Sequence, residues 1–485
     1  MSRLPGLIDT WLKRWSWRNL RIASALQERL RRRFSNAGQA VLAATLSAGL
    51  FGIDTRMTAA YQVFALGAAL LLVAAATTLR PTLRPTSRPM LRPGLALQCE
   101  RRLPRHATVG EPCRYLVRLH NSGHRPLAGL EITERLPDPR PDRASFLVAR
   151  APIEARFNPV ERLFGYPRWE WLVRQGRRAE PQKPVLLPTI APDEQIERAL
   201  SITPRRRGWL RLSALVAARS DPLGLMRRET PLDGDSRVLV LPRRYPVPPL
   251  PQPGHRRLQP GGVSLASAIG DSREFMGLRD YLPGDSPRHI HWAAWARSGE
   301  PVVKEYQDEF FSRQALILDS CTGHPHQENA QSAVDDAAFE CAVSVAASLL
   351  EPLTRSGIQQ DALLDLMFVA DRAHSVTGGR GLRSIDGMLE LLACLEPNRG
   401  NDFAMLSGLV LGQAPQLSNC ICVLLAWDEQ RQDLIRQLHA LGLTPRVLLI
   451  TTSAPASIAA IEAVPPPLCI DPADPASGLA SMRTL

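Results

Sequence analysis

Two uncharged apolar runs lie close together near the start of the sequence, and they constrain its fold more than any other feature. Ala37–Ile53 contains 17 residues and Ala59–Leu79 contains 21, without a charged side chain in either. A membrane-spanning helix needs about 20 mainly apolar residues, with about 17 as the lower limit. The connection over residues 54–58 leaves room only for a tight turn. The sequence therefore predicts a transmembrane helical hairpin.

Arginines gather on both flanks of this hairpin and indicate its orientation. They are Arg29, Arg31, Arg32 and Arg33 before the first run, and Arg80, Arg84, Arg88 and Arg92 after the second. Cytoplasmic flanks carry such an excess, so we expect both ends of the hairpin to lie in the cytoplasm. A helical hairpin buried in a soluble protein is the alternative. A cleaved signal peptide is not expected, because the first apolar run begins only after about 35 residues.

Composition divides the chain into five segments, each with its own pattern. They are residues 1–35, a basic segment that fits an interfacial amphipathic helix or a plain solvated one; 36–93, the hairpin and a Pro/Arg linker; 94–245, a region of short strands; 246–313, a segment dense in charged and aromatic residues; and 314–485, an α/β region. Residues 1–93 carry a net charge of +11, which attraction to anionic lipid explains without nucleic acid.

Short apolar alternations between turn residues fill segment 94–245. Arg114–Leu119, Leu130–Thr133 and Arg237–Leu241 are examples, and Asn121-Ser122-Gly123 is a turn signal between two of them. Many short strands with regular turns favour an all-β sandwich. We expect no long helix to interrupt it.

The apolar pattern changes after residue 314, where buried runs alternate with amphipathic helical stretches. The expected strands are residues 315–318, 363–370, 420–426 and 446–451, and the expected helices are 334–353, 382–395 and 429–441. This alternation predicts a mostly parallel α/β sheet.

The most distinctive stretch runs from Arg273 to Tyr306 and is dense in arginine, acid and tryptophan. Pro283-Gly284-Asp285 is turn chemistry, and Asp285 is close enough in sequence to pair with Arg288. The candidate signature and docking residues are Arg279, Asp280, Tyr281, Gly284, Asp285, Arg288, Trp292, Arg297 and Lys304. Arginine forks bind carboxylates, so the stretch is a docking face, an anion site or a salt-bridged structural module.

Two histidines within this stretch alternate along the sequence. His289 and His291 would share one face of a strand. A pair of this kind can bind metal, but no third ligand stands at useful spacing, and structural histidines are the preferred interpretation.

The run from Arg279 to Arg297 closely resembles, without gaps, the signature of the domain-of-unknown-function-58 family. Arg207-Gly208-Trp209 and Ser220–Leu225 are similar to further elements of that family, and the resemblance spans most of residues 35–470. It implies a bacterial inner-membrane hairpin, a β-sandwich, the signature segment and a von Willebrand factor A-like C-terminal domain. It also implies MoxR-type AAA+ ATPases as partners, and in some cases transglutaminase-like membrane proteins.

Von Willebrand A modules bind Mg²⁺ through a D-x-S-x-S loop, which is altered in this chain. The corresponding loop is Asp319-Ser320-Cys321-Thr322-Gly323, where Cys321 and Gly323 replace the serines. Ser320 and Thr322 are out of phase, Asp428 matches the later aspartate, and Thr377 is a candidate for the threonine. A degenerate Mg²⁺ site of Asp319, Ser320, Thr322 and Asp428 is one reading. The other is that Asp319 caps a strand or a helix.

These features favour a non-enzymatic interaction scaffold that presents an A-type module to a MoxR-type ATPase. A membrane-bound hydrolase is an alternative, although the G-x-S-x-G, H-E-x-x-H and P-loop patterns are missing from the sequence. Binding of an anionic ligand or nucleic acid through the basic residues 94–313 is another, without a recognised nucleic-acid motif. The eight cysteines form no C-x-x-C pair and fit a reducing compartment.

Overall fold

The structure, a computed structural model, divides into two compact units. It describes residues 4–51, 58–79, 96–149, 151, 157–180, 182–248, 259–260, 273–283, 285, 287–308, 310–311, 313–322, 331–355, 363–379, 384–400, 402–452, 461 and 464–484. The first unit comprises Met1–Pro242 with Glu328–Ala330, and the second comprises Arg243–Gln327 with Gln331–Leu485. The signature stretch thus shares a unit with the α/β region.

Three long helices open the first unit: α1 (Leu4–Arg33), α2 (Asn36–Phe51) and α3 (Thr58–Leu79). Residues Ala59–Thr78 of α3 are long and apolar enough to cross a membrane, and only 11% of an 18-residue stretch within them is buried. Helices α2 and α3 approach closely at Gly67. A Cβ atom added there would lie only 2.1 Å from Thr45 Oγ1. A small residue is therefore needed where the two helices meet.

Ten strands follow in the first unit. They are β1 (Leu97–Arg102), β2 (His106–Thr108), β3 (Cys113–Asn121), β4 (Leu130–Arg135), β5 (Val185–Leu186), β6 (Gln195–Ile202), β7 (Gly208–Leu212), β8 (Ala214–Ser220), β9 (Arg227–Asp233) and β10 (Ser236–Leu241). They pair as the sheets β1-β3-β6, β2-β10-β7 and β5-β4-β8-β9. Alternate residues of β3 and β4 are buried, as period-2 patterning predicts, and all three sheets contribute to one hydrophobic core.

Three short helices, of 6, 6 and 11 residues, interrupt the described strands. They are α4 (Arg143–Val148), α5 (Pro159–Phe164) and α6 (Tyr166–Gly176). Phe146 and Trp169 pack edge to face, with ring centroids 6.0 Å apart. Gly165, at φ +64°, ends α5 and begins α6. Each helix is too short for its periodicity to stand out among prolines and arginines.

The base of the helical hairpin is fixed to the loop between β8 and β9. Ser35 N donates to Leu225 O at 3.0 Å, and Ser35 Oγ donates to Gly224 O at 2.5 Å. Asp221 holds this loop by accepting the backbone N–H of Met226 at 2.7 Å. A Cβ atom added at Gly38 would lie 2.0 Å from Leu225 O, so the helix backbone rests directly on the loop.

The signature stretch is a two-stranded antiparallel sheet with a helical insertion. Its elements are β12 (Arg273–Asp280), a 3₁₀ helix (Pro287–His289), α7 (Trp292–Ser298) and β13 (Val302–Asp308). Two-residue strands β11 (Gln259–Pro260) and β14 (Phe310–Phe311) pair beside it in the sequence. His289 lies in the 3₁₀ helix and His291 caps α7, so the prediction of a strand carrying both was wrong.

A six-stranded sheet forms the core of the second unit. Its strands are β15 (Arg313–Leu318), β16 (Leu363–Val369), β17 (Ala373–Gly378), β18 (Asn419–Leu424), β19 (Arg446–Ile450) and β20 (Leu468–Ile470). The order is β17-β16-β15-β18-β19-β20, and every pair is parallel except β16–β17. The predicted mostly parallel sheet is therefore observed.

Five helices accompany this sheet: α8 (Gln331–Arg355), α9 (Ile385–Cys394), α10 (Phe403–Gln413), α11 (Glu429–Ala440) and α12 (Pro475–Ala480). Residues Asp335–Thr354 of α8 are also long and apolar enough to cross a membrane, but 61% of an 18-residue stretch within them is buried. Helix α8 is thus a core helix of the α/β sheet.

Candidate functional site

The candidate site lies where neighbouring parallel strands end at the same edge of the sheet. Asp319 follows β15, and the adjacent β18 leads into the turn that ends at Asp428. Asp319 is fully buried. Asp428 is the N-cap of α11, where its Oδ1 accepts the N–H of Arg431 at 3.0 Å. Sequence reasoning placed both carboxylates at one edge, and the structure brings them to a common partner.

That partner is Arg431, in the first turn of α11. Its Nε donates to Asp319 Oδ2 at 2.7 Å, and its Nη1 donates to Asp428 Oδ2 at 2.5 Å. The guanidinium carbon lies 4.6 Å from the centre of the Phe403 ring. Burial alone would lower the pKa of Arg431, but Asp319 and then Asp428 outweigh it and raise that pKa. The arginine therefore stays charged between the two acids.

Asp319 also accepts hydrogen bonds from two backbone N–H groups. Oδ1 accepts the N–H of Cys321 at 3.0 Å, and Oδ2 accepts the N–H of Leu425 at 3.2 Å. Three of its roughly four lone-pair directions are therefore occupied, and the one left on Oδ1 belongs to a carboxylate that is already paired with a guanidinium, which is unsuited to a hard dication. The residues at this edge thus do not fit Mg²⁺.

The hydroxyl of Ser320 and the backbone N–H of Thr322 bond to neighbouring loops of the same unit. Ser320 Oγ donates to Val369 O and accepts the N–H of Val369 at 3.2 Å. Thr322 N donates to Asn398 O at 2.9 Å. Throughout the chain segments that the structure describes, neither hydroxyl bonds to Asp319 or Asp428, and no group of three or more His, Cys, Asp or Glu is arranged to hold a metal.

Thr377 lies at the opposite end of the sheet, so its suggested role beside Asp319 was wrong. It donates to Asp365 Oδ1 at 2.5 Å, and Arg313 Nε donates to Asp365 Oδ2 at 2.5 Å. Asp365 is in register with Ala315, four residues before Asp319, which is about 13 Å along a strand. Because β17 runs antiparallel, it carries Thr377 away from the Asp319 edge.

A loop that the sequence analysis missed also lines the candidate site. Asn398 N donates to Ser320 O at 2.8 Å, and Asn398 Nδ2 donates to Asp402 Oδ2 at 3.2 Å. Cys321 pairs with Asn398 in an isolated parallel bridge. Burial and then Asp319 raise the pKa of the Cys321 thiol to about 12, so it is a poor nucleophile.

The signature segment has a rigid turn built on one ion pair. Arg279 Nη1 and Nη2 each donate to a different oxygen of Asp285 at 2.7 Å. Asp285 also accepts the N–H of Leu282 at 2.9 Å. The suggested Asp285–Arg288 pair is thus replaced by Asp285–Arg279, and Gly284 lies outside the described residues. The hydrogen bond from Arg279, then that from Leu282, lowers the pKa of Asp285.

Other candidate residues of this segment point to solvent. Trp292 is 65% exposed and stacks on Trp295 with ring centroids 5.3 Å apart. The exposed signature group consists of Leu282, Arg288, Trp292 and Arg297. Asp280 is exposed too, whereas Tyr281 and Lys304 are half-buried. His291 Nδ1 accepts the N–H of Ala294 at 2.9 Å and so starts the helix that carries Trp292.

Replacing Arg279 with methionine is expected to return the pKa of Asp285 toward its ordinary range. Because the pKa of Asp285 is lowered in the folded protein, the ion pair stabilises the turn fully at pH values above the ordinary aspartate pKa. This stabilisation is lost as the pH falls through the lowered pKa. An NMR titration of labelled aspartate measures this change, and amide exchange at Leu282 should accelerate. Arg288→Met is the control, because Arg288 is exposed and forms no ion pair with any described residue. An unchanged Asp285 pKa in Arg279→Met would contradict the assignment.

Comparison with known families assigns part of this region. Residues 277–456 match the family described as protein of unknown function DUF58. The DUF58 region thus contains Arg279, Asp319, Asp428 and Arg431. It covers less than half of the chain and leaves the hairpin and the β-rich region outside it. No curated protein matches the chain.

Similarity to solved structures is weak. The CARDB domain of PF1109 from Pyrococcus furiosus in complex with di-metal ions is 13% identical, with a TM-score of 0.17 over 30% of this chain and 87% of that chain. Red sea bream transglutaminase is 16% identical, with a TM-score of 0.17 over 30% of this chain and 14% of that chain. The ASH/PapD-like domain of human CEP192 is 10% identical, with a TM-score of 0.15 over 33% and 93%. Scores this low carry no functional argument.

Proposed function

We propose that this protein is a membrane-anchored interaction scaffold of the bacterial inner membrane. In this proposal the β-rich region is a β-sandwich, the C-terminal sheet is a von Willebrand factor A-like module, and both face the cytoplasm. The observation that carries it is the contrast between two apolar helical segments of 20 residues each, Ala59–Thr78 in α3 and Asp335–Thr354 in α8. The apolar stretch of α3 is 11% buried, whereas that of α8 is 61% buried and packs against the six-stranded sheet. An exposed apolar helix of this length needs a bilayer.

The outer face of α1 supports attachment to the membrane surface. Trp11, Trp15, Ile22 and Leu26 are exposed, and at 3.6 residues per turn they fall within an arc of about 60°. Exposed Arg14 and Arg18 lie along one side of this stripe, and exposed Arg29 follows it toward the end of the helix. An apolar stripe with basic residues beside it suits the boundary between headgroups and acyl chains, and α1 leads within two residues into α2.

The exposed signature group supports a docking role. Trp and Arg are the residue types that dominate binding energy at protein interfaces. The Arg279–Asp285 pair and the His291 cap hold the turn and the helix that present them. A preorganised surface loses little conformational entropy on binding. We propose an acidic surface of a MoxR-type AAA+ ATPase as the partner, with transglutaminase-like membrane proteins as a second class.

A capture experiment tests the docking role. The full chain in detergent should retain a MoxR-type ATPase from the same genome, and Trp292→Ala should weaken that binding by about 30-fold or more, since a hot-spot residue contributes at least about 2 kcal/mol. Trp209→Ala is the matched control, because Trp209 is 55% exposed but lies on β7 of the other unit. Equal loss in both variants, or no retention by the unaltered chain, would contradict the proposal.

A further inference from the structure

The sheet edge at which β15 and β18 end contains a positively charged side chain, the guanidinium of Arg431. Two carboxylates from separate loops converge on one guanidinium, with Nε at 2.7 Å from Asp319 and Nη1 at 2.5 Å from Asp428. We propose that Arg431 is an internal replacement for the divalent cation of an A-type module, so that this edge keeps its shape without metal. The proposal rests on the A-like module of the proposed function and is independent of its docking partner.

Burial explains why a cation is needed at this position. Asp319 is fully buried, and an ionised carboxylate withdrawn from water requires an opposite charge and hydrogen bonds. Arg431 supplies both, because its side chain is 7% exposed and its planar fork reaches two acids at once. In a metalloprotein of this geometry a divalent ion would provide the same neutralisation.

Three local features hold the guanidinium in place. The Phe403 ring supports one face of the fork at 4.6 Å. Asp428 caps α11 through Arg431 N, which fixes the backbone from which the side chain extends. Nη2 approaches Cys321 O at 3.5 Å. The arginine is therefore positioned by the fold rather than by a flexible surface contact.

The same features exclude a divalent ion from the unaltered protein. Mg²⁺ binds oxygen at about 2.0–2.1 Å, so an ion bound to Asp319 and Asp428 would meet the guanidinium at repulsive range. Of the hydroxyls that would complete its coordination, one is replaced by the thiol of Cys321, and that of Ser320 is bonded to Val369. The departure from D-x-S-x-S and the presence of Arg431 thus both disfavour a bound divalent ion at this edge.

Binding of Mn²⁺ to the full chain in detergent tests this inference, with the loss of the free Mn²⁺ EPR signal as the readout. The unaltered protein should show no Mn²⁺ site that depends on Asp319. Arg431→Met combined with Cys321→Ser should gain one such site, and Asp319→Asn in that background should remove it. Cys321→Ser alone is the matched control and should gain none. Mn²⁺ binding to the unaltered protein that Asp319→Asn abolishes would overturn the proposal, as would a folded double variant without a site.

A second measurement decides the matter if the Arg431→Met variants do not fold. Arg431→Lys keeps a positive charge, and it should fold and still exclude Mn²⁺. The melting temperatures of Arg431→Lys, Asp319→Asn and their combination should be non-additive, with the combination less harmful than the sum of the single changes. Additive shifts, or an Asp319-dependent Mn²⁺ site in Arg431→Lys, would show that the charge of residue 431 is not what replaces the metal.

Discussion

Replacing Arg101 with methionine is expected to lower the free energy of unfolding of the first unit by about 3–5 kcal/mol, the usual cost of leaving one member of a buried ion pair alone. The Arg101 and Glu134 side chains are both buried, and Arg101 donates to the two Glu134 oxygens at 2.9 and 3.2 Å. Arg101 also donates to Asp233 at 2.9 Å and to Gly234 O at 2.6 Å. Without Arg101, the buried Glu134 carboxylate loses its cationic partner in the core that the three sheets share.

The neighbouring residue offers a matched control. Arg102 lies on the same strand, is half-exposed, and approaches Glu100 only to 3.9 Å. Exposed pairs of this kind contribute at most about 1 kcal/mol, so Arg102→Met should change little. Amide exchange along β3 measures the stability of this unit without requiring the whole chain to unfold in two states. Equal protection of β3 in the two variants would show that the buried pair does not stabilise the sheets.

Combining Arg101→Met with Glu134→Leu separates the cost of an orphaned charge from the cost of lost contacts. The double variant removes both charges and should recover part of the stability lost in Arg101→Met. Tyr115 limits this recovery, because its hydroxyl donates to Glu134 at 3.0 Å and would then lack an acceptor. A double variant less stable than Arg101→Met would point to packing rather than charge as the dominant contribution.

Local periodicity made the regular elements predictable. The alternation in Arg114–Leu119 reports one buried face of a strand, and the strand extends over Cys113–Asn121. The continuous apolar run before Asp319 reports a strand buried on both faces. In both cases the signal lies within a few neighbouring residues. Helices α4 to α6 lack that signal, since each is short; α4 buries Phe146, and α6 buries Pro167, Arg168 and Trp169 in neighbouring positions rather than at helical spacing.

The candidate site was only half predictable, because its partners come from distant parts of the chain. Asp319 and Asp428 can be recognised as candidates from the sequence, because each follows an apolar strand. Arg431, in contrast, lies 112 residues from Asp319. Only the parallel pairing of β15 with β18 brings that arginine to the edge. Thr377 shows the opposite error, since the antiparallel direction of β17 cannot be read from its own residues.

The same limit applies to the hairpin. The length of the two uncharged runs predicts two apolar helices, but the sequence of these runs does not indicate which loop they contact. The Ser220–Leu225 stretch was of interest only for its family resemblance, whereas its contacts with Ser35 and Gly38 give it a physical role. Asp221 closes the loop, and Gly224 provides the φ of +68° that the turn requires.

Two arginines on the exposed side of α3 are expected to release the protein from the membrane. Leu66 and Leu72 are 64% and 70% exposed, so neither supports a protein core. Each arginine near the middle of a spanning helix costs about 2.5–3.5 kcal/mol, and Leu66→Arg with Leu72→Arg should together cost roughly 5–7 kcal/mol. The described part of α2 has 16 residues, many of them small, and is too short to compensate.

Alkaline extraction of membranes measures the outcome, with the chain expected to move from the pellet to the supernatant or to aggregates. Leu66→Ala with Leu72→Ala is the control, because it removes the same side chains without adding charge and should leave the protein in the pellet. The contact of Gly67 with Thr45 is untouched in both variants, so α2 and α3 retain their close approach. A doubly charged variant that stays in the pellet would mean that α3 is not the anchor. The exposed apolar surface of α3 would then have to be covered by protein instead of lipid.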